Sequence, residues 1–179
     1  IGHEVLGVEK NQTRLAKLMA GGSGILEPGL DEMLVDGLRS GRLRLTHVDH
    51  VAKESRDTVI IAVGTPSMPD GSADISQVLE AVGWAVRKTD GPTVILMKSS
   101  VPPGTGARIV SEELAGTQCN YVANPEFLQQ GSAVKNWMSP ARMVIGSESP
   151  AASETIINLF SQIEAPIVKT DITTAELIK

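Results

Sequence analysis

Thr93-Val94-Ile95-Leu96-Met97-Lys98 runs directly into Ser99-Ser100-Val101-Pro102-Pro103-Gly104-Thr105. The first run is apolar and lacks the polar alternation of a half-exposed strand, so it predicts a strand covered on both faces, as in a parallel sheet. The second run is a polar loop with Pro and Gly, placed where the carboxyl ends of such strands bind ligands. Similar runs occur at His3 to Val8, Thr58 to Val63, Asn120 to Ala123, Arg142 to Ile145 and Pro166 to Lys169. Between them lie segments of helical period. Ile75, Val78, Leu79, Val82 and Val86 mark a helix capped by Asp74. Ile156, Leu159, Phe160 and Ile163 mark another, opened by Ser149 with Pro150 at its first position. Leu30, Met33, Leu34 and Leu38 mark a third. The alternation predicts an α/β fold with a doubly wound, mostly parallel sheet.

Composition narrows the function classes. A chain of 179 residues with 41% apolar content can bury one sizeable core. Sixteen basic and 21 acidic residues give a net charge of −5. No Lys or Arg cluster could track a phosphate backbone, which argues against nucleic acid as a partner. No apolar run approaches the roughly 20 residues that span a bilayer, and the first residues lack the features of a signal peptide. A cytoplasmic protein without a membrane partner is therefore expected, and no metal site is assigned. The single cysteine, Cys119, reads as a small packing residue.

Four positions carry candidate chemistry. Ile1-Gly2-His3-Glu4-Val5-Leu6-Gly7-Val8-Glu9 has the form of the second strand of a dinucleotide-binding unit, ending in an acid that accepts hydrogen bonds from ribose hydroxyls. A plain strand end gives the same pattern. Gly64-Thr65-Pro66-Ser67 and the loop from Ser99 to Thr105 combine glycine, which permits close backbone approach, with hydroxyls suited to ribose or phosphate oxygens. Helix capping explains those hydroxyls equally well. In Asn124-Pro125-Glu126-Phe127-Leu128 a carboxylate directly follows a proline at a strand end, either as a solvated loop residue or cap, or as a working acid. Polar loops converging at one sheet edge favour a ligand site.

Taken in order and spacing, Gly64-Thr65-Pro66, Lys98-Ser99-Ser100-Val101-Pro102, Asn124-Pro125-Glu126-Phe127-Leu128 and Thr173-Thr174-Ala175-Glu176-Leu177-Ile178-Lys179 resemble the UDP-glucose/GDP-mannose dehydrogenase family. Glu27-Pro28-Gly29-Leu30, Asp70-Gly71-Ser72-Ala73-Asp74 and Gly131-Ser132-Ala133-Val134 are also similar to that family, and the last leans toward its UDP-glucose branch. The resemblance covers the whole chain. It implies a Rossmann-like NAD-binding domain over residues 1–170, lacking its first strand and glycine-rich loop. Residues 171–179 would begin a central helix leading to C-terminal domains outside this sequence.

The implied activity is oxidation of the C6 alcohol of a nucleotide sugar to a carboxylate by two hydride transfers to NAD. The implied substrate is UDP-glucose, with GDP-mannose as the alternative, and the product would feed polysaccharide synthesis. The implied nucleophile is a cysteine that forms a thioester and lies far beyond the Glu126 motif. Cys119 precedes that motif and is not this nucleophile, so the isolated chain is expected to show no turnover. In the implied catalytic set, Glu126 handles protons, Ser100 shares a water with it, and Lys179 stabilises charge on the reacting oxygen.

The implied cofactor contacts are Glu9, Arg14, Val63, Gly64, Thr65, Pro66, Ser99, Ser100 and Gln130. Glu126, Phe127, Leu128, Gln129, Gln130 and Lys179 would lie along the nucleotide sugar. Thr173 and Glu176 read as a capping box that would start a helix presenting Lys179 in its second turn, with Glu176 structural through that cap and its i,i+3 relation to Lys179. The family is oligomeric, so a homo-oligomeric parent is implied. A noncatalytic nucleotide-binding module is the alternative from another class.

Overall fold

The structure, a computed structural model, describes residues 2–179. Ile1, the start of the expected ribose-binding strand, lies outside the described residues. In chain order the elements are β1 (Val5–Glu9), α1 (Gln12–Met19), α2 (Leu30–Arg39), β2 (Leu43–His47), β3 (Thr58–Ile61), α3 (Ser76–Lys88), β4 (Thr93–Met97), α4 (Thr105–Glu112), β5 (Cys119–Ala123), α5 (Ala133–Met138), β6 (Met143–Gly146), α6 (Pro150–Leu159), β7 (Ile167–Thr170) and α7 (Ile172–Leu177). They group into two compact units, Ile1–Ala52 with Leu128–Pro140, and Lys53–Phe127 with Ala141–Lys179.

In the first unit β1 and β2 pair in parallel from Val5↔Leu43 to Glu9↔His47. Asn11 opens α1 by accepting the Arg14 N–H at 2.9 Å. Leu30, Met33, Leu34 and Leu38 fall on α2 as the apolar period predicts. The second strand of this pair is absent from the sequence reading because Arg44, Thr46 and His47 interrupt its apolar character.

The second unit holds a five-stranded sheet in the order β3-β4-β5-β6-β7. Its neighbours run parallel, except that β5 and β6 meet antiparallel at Ala123↔Gly146. All five residues of β4 are buried. Ile95 and Met97 join a core with Val78, Val82 and Ala85 of α3, Ile109 of α4, and Ile172 and Ala175 of α7. By strand alternation Val94 and Leu96 point to the opposite face, and α6 packs on β4, β5 and β6. That two-sided cover is why the run at Thr93 shows no polar period. Each fully buried branched side chain here contributes about 1.5–3 kcal/mol.

The helix starts follow local hydrogen bonding. Ser149 accepts the Ala152 N–H at 3.3 Å, with Pro150 opening α6, as the sequence predicts. The capping position of α3 is Ile75, while the Asp74 carboxylate accepts the Ser76 N–H at 2.9 Å, one residue from the expected arrangement. Cys119 is half-buried, packs against the core, and places Sγ 3.8 Å from Thr89 Oγ1.

The expected capping box at Thr173 and Glu176 does not form. Asp171 caps α7 instead, accepting the Thr174 N–H at 2.8 Å and the Thr174 hydroxyl at 2.6 Å. Those two bonds hold its carboxyl below the usual carboxylate range. The helix ends at Leu177, so Lys179 follows it rather than sitting in its second turn.

Glycines bring α7 close to its neighbours. A Cβ on Gly106 would lie 2.6 Å from the Tyr121 ring and 2.8 Å from Glu176 Oε1, and would also strike Ile172. A Cβ on Gly146 would lie 2.6 Å from the Asp171 carbonyl. Gly106→Ala is accordingly expected to destabilise the chain by about 1–3 kcal/mol through overpacking. A lowered urea midpoint with an unchanged slope is the reading that checks it.

Candidate functional site

The parallel arrangement of β3, β4 and β5 delivers three consecutive loops to their carboxyl ends. Backbone bonds fix the first two together. Lys98 N–H and Ser99 N–H donate to the Ile61 carbonyl at 2.9 and 3.2 Å, and Ser99 Oγ donates to the Val63 carbonyl at 2.7 Å. The Ser99 hydroxyl thus ties the loop after β4 to the loop after β3. Asn124 N–H donates to the Met97 carbonyl at 2.9 Å, which joins the third loop to β4.

An open cleft of about 370 Å³ lies at these ends. Thr65, Ser99, Ser100, Pro125, Glu176 and Lys179 are among its lining residues. Lys179 Nζ donates to the Glu126 carbonyl at 2.6 Å and to Glu126 Oε1 at 2.5 Å. Both side chains are 29% exposed, so the pair is partly withdrawn from water, and Lys179 is the member that lines the cleft. Pro125, buried in the loop after β5, directly precedes Glu126. The ammonium and carboxylate of the sequence motifs, 53 residues apart, are thereby in direct contact.

Glu176 serves a different helix from the one expected. Its Oε2 accepts Gly104 N–H and its Oε1 accepts Gly106 N–H, both at 2.7 Å. These amides open α4, whose preceding loop carries Ser100. Burial pushes the Glu176 carboxyl up, and the amide bonds from Gly106 and Gly104 oppose that rise. The carboxylate therefore fastens α7 to the Ser100 loop. It does not pair with Lys179 through the expected i,i+3 relation, because Lys179 is turned to Glu126.

Val63 packs against the core, Gly64 and Pro66 are exposed, and Thr65 is half-buried. Ser100 is exposed. Phe127 is also exposed and carries the Arg142 guanidinium 4.4 Å over its ring, a cation–π contact absent from the sequence reading. In the other unit, Leu128, Gln129 and Gln130 are exposed, with Gln129 N–H donating to Asn136 Oδ1 at 3.1 Å. There too the Glu9 carboxylate accepts Asn11 N–H at 2.8 Å and pairs with Arg14 at 3.2 Å. Among the described residues no three His, Cys, Asp or Glu side chains gather as a cation site. No helix among them is long and apolar enough to cross a membrane.

Two residues escaped the sequence reading. Lys98 points inward and donates to Asn124 Oδ1 at 3.0 Å, and Asn124 Nδ2 in turn donates to the Val144 carbonyl at 2.7 Å. Both stand inside quoted motifs. The available signal was the position of Lys98 at the end of a fully apolar run, where a lysine is led along the sheet instead of into solvent.

Each unit by itself carries a feature suited to a dinucleotide. An added Cβ on Gly64 would meet no heavy atom within 4 Å, so a ligand can approach the backbone after β3. In the first unit an acidic side chain, 18% exposed, stands at the end of a parallel strand in the position suited to ribose hydroxyls.

Fold and site together define an NAD-binding domain of the Rossmann type, with a dehydrogenase's polar loops at the carboxyl edge of its sheet. The chain belongs to the UDP-glucose/GDP-mannose dehydrogenase family, whose NAD binding domain matches residues 1–164, and NAD is its cofactor. It is 36% identical to the GDP-mannose 6-dehydrogenase of Pseudomonas syringae pv. tomato and 38% identical to the UDP-glucose 6-dehydrogenase of Rhizobium meliloti. Each match covers 99% of this chain and 43% of the relative. Among solved structures, the UDP-glucose dehydrogenase of Pyrobaculum islandicum superposes with a TM-score of 0.89 at 38% identity, over 99% of this chain and 43% of that one. The chain thus spans less than half the length of these relatives.

Proposed function

We propose that the protein carrying this chain oxidises the C6 alcohol of UDP-glucose to UDP-glucuronate, and that the reacting oxygen sits in the cleft beside Glu126 and Lys179. The observation that carries this reading is the direct contact of Lys179 Nζ with the Glu126 carboxylate at a cleft wall. NAD, when bound, supplies the hydride acceptor.

The chain's own residues prepare the alcohol. As it loses its proton, negative charge grows on the oxygen, and an ammonium in a partly dehydrated cleft stabilises that charge far better than water does. Lys179 does this by transferring a hydrogen bond from Glu126 to the substrate. Glu126, freed of that bond, accepts a proton directly or through one water. The exposed Ser100 hydroxyl on the adjacent loop shares that water, and Phe127 with the following residues runs along the nucleotide sugar. Glu9, with Arg14 beside it, holds the adenosine ribose. An acidic group there disfavours the additional phosphate of NADP.

GDP-mannose is the second reading, supported by relatives of that name at similar identity. The Gly131-Ser132-Ala133-Val134 segment favours UDP-glucose. Comparing kcat/KM for the two sugars with the enzyme at its relatives' full length tests the choice. Higher kcat/KM for UDP-glucose is expected. The reverse order assigns GDP-mannose, and turnover of neither sugar, with retained NAD binding, points to a noncatalytic nucleotide-binding module.

A further inference from the structure

Two sequence motifs that the cleft does not use meet in the first unit, at one buried carboxylate. Glu27-Pro28-Gly29-Leu30 closes a type II turn: the Leu30 N–H donates to the Glu27 carbonyl at 3.2 Å, proline fixes the second position, and Gly29 takes the third at φ +81°. That turn sets the backbone of Glu27, which is 9% exposed. Its Oε2 accepts the Gly131 N–H at 2.7 Å and its Oε1 accepts the Val134 N–H at 3.1 Å, across 104 and 107 residues. One side chain thus holds Gly131-Ser132-Ala133-Val134 by its first and last amides. The neighbouring residues close on themselves. Gln129 N–H donates to Asn136 Oδ1 at 3.1 Å, Ser132 N–H donates to the Gln129 carbonyl at 3.0 Å, and Gly131 turns the chain between them at φ +86°. Gln129 and Gln130 are exposed, and their carboxamides take no part in these bonds.

We propose that Glu27 is a positioning residue for the nucleotide sugar: it fixes the turn from Gln129 to Ser132 before substrate arrives, so that the Gln129 and Gln130 carboxamides are already in place to bond to it. The proposal rests on the reading that the residues after Phe127 run along the nucleotide sugar. A carboxylate suits this task, because Gly131 and Val134 present two separate N–H donors and a carboxylate offers each its own oxygen. An amide side chain offers one acceptor oxygen only. Little water competes for donors held by so buried a group, so the loop is ordered without ligand. A loop ordered in advance charges its ordering cost to folding and not to binding. Without Glu27 that cost falls on substrate binding, while the chemistry at the reacting oxygen is untouched.

Steady-state kinetics and amide hydrogen exchange of the full-length enzyme test this together. Glu27→Ala is expected to raise KM for the nucleotide sugar by about tenfold, with kcat within about twofold of wild type. Glu27→Gln, with one acceptor oxygen left, is expected to fall between the two. Without substrate, the Gly131 and Val134 amides are expected to exchange faster in Glu27→Ala by about tenfold or more, while those of the five-stranded sheet do not. An unmoved KM, a kcat that falls in step with the rise in KM, or unchanged exchange at both amides overturns the proposal. If Glu27→Ala does not fold, Glu27→Gln decides by the same split between KM and kcat. A wild type that turns over neither nucleotide sugar refutes the functional reading above and this proposal with it, whereas an active wild type whose KM ignores Glu27 refutes this proposal alone.

Discussion

Lys179→Ala is expected to lower kcat for nucleotide-sugar oxidation by on the order of 10²–10³, the cost of losing a donor aimed at developing negative charge. The loss falls on turnover because the interaction strengthens as the alcohol ionises, whereas the resting substrate gains less from it. Stability moves little. The Lys179–Glu126 pair is partly exposed, and pairs of that kind contribute about 0–1 kcal/mol. Steady-state kinetics of the full-length enzyme, with melting curves of wild type and variant, separate the two effects. Near-normal kcat would place charge stabilisation on another group.

Glu176→Ala is expected to act in the opposite way, through stability first. It orphans Gly104 N–H and Gly106 N–H, which are held inside the α4–α7 contact. A buried donor left unsatisfied costs about 1–3 kcal/mol, which applies to Gly106 N–H, whereas the part-buried Gly104 N–H can turn to water. Glu176→Gln retains one acceptor oxygen and falls between wild type and alanine. Urea unfolding of the three chains checks the order, and an unchanged midpoint in the alanine variant would show that the two amides find other partners. The effect reaches the cleft as well, since Glu176 joins the helix before Lys179 to the loop after Ser100.

The legible parts of this chain were those set by local chemistry. An uninterrupted apolar run announced β4, because a strand covered on both faces needs no polar period, and short runs rich in Val, Ile, Tyr or Ala marked β3 and β5. Ser149-Pro150 announced α6, since hydroxyl and ring act within one turn. β2 was lost because Leu43 and Leu45 alternate with Arg44 and Thr46 over too short a stretch to stand out. α1 was lost because Leu15 is its one buried residue.

At the cleft, the order of motifs pointed to Glu126, Ser100 and Lys179; Lys179 meets Glu126, and Ser100 lines the same cleft as Lys179. The role of Glu176 was hidden because its partners lie 70 and 72 residues away. Asp171 and Thr173 are both competent caps by residue type, and backbone geometry selects Asp171. Lys98 was hidden by the ordinary expectation that lysine faces solvent.

A crystal structure of the full-length enzyme with NAD and UDP-glucose decides whether Glu126 and Lys179 act on the sugar. The sugar's C6 oxygen is expected within hydrogen-bond reach of Lys179 Nζ and of Glu126, directly or through one water, with the nicotinamide over the Ser99-Ser100 loop. A sugar whose C6 oxygen lies away from both side chains would contradict it.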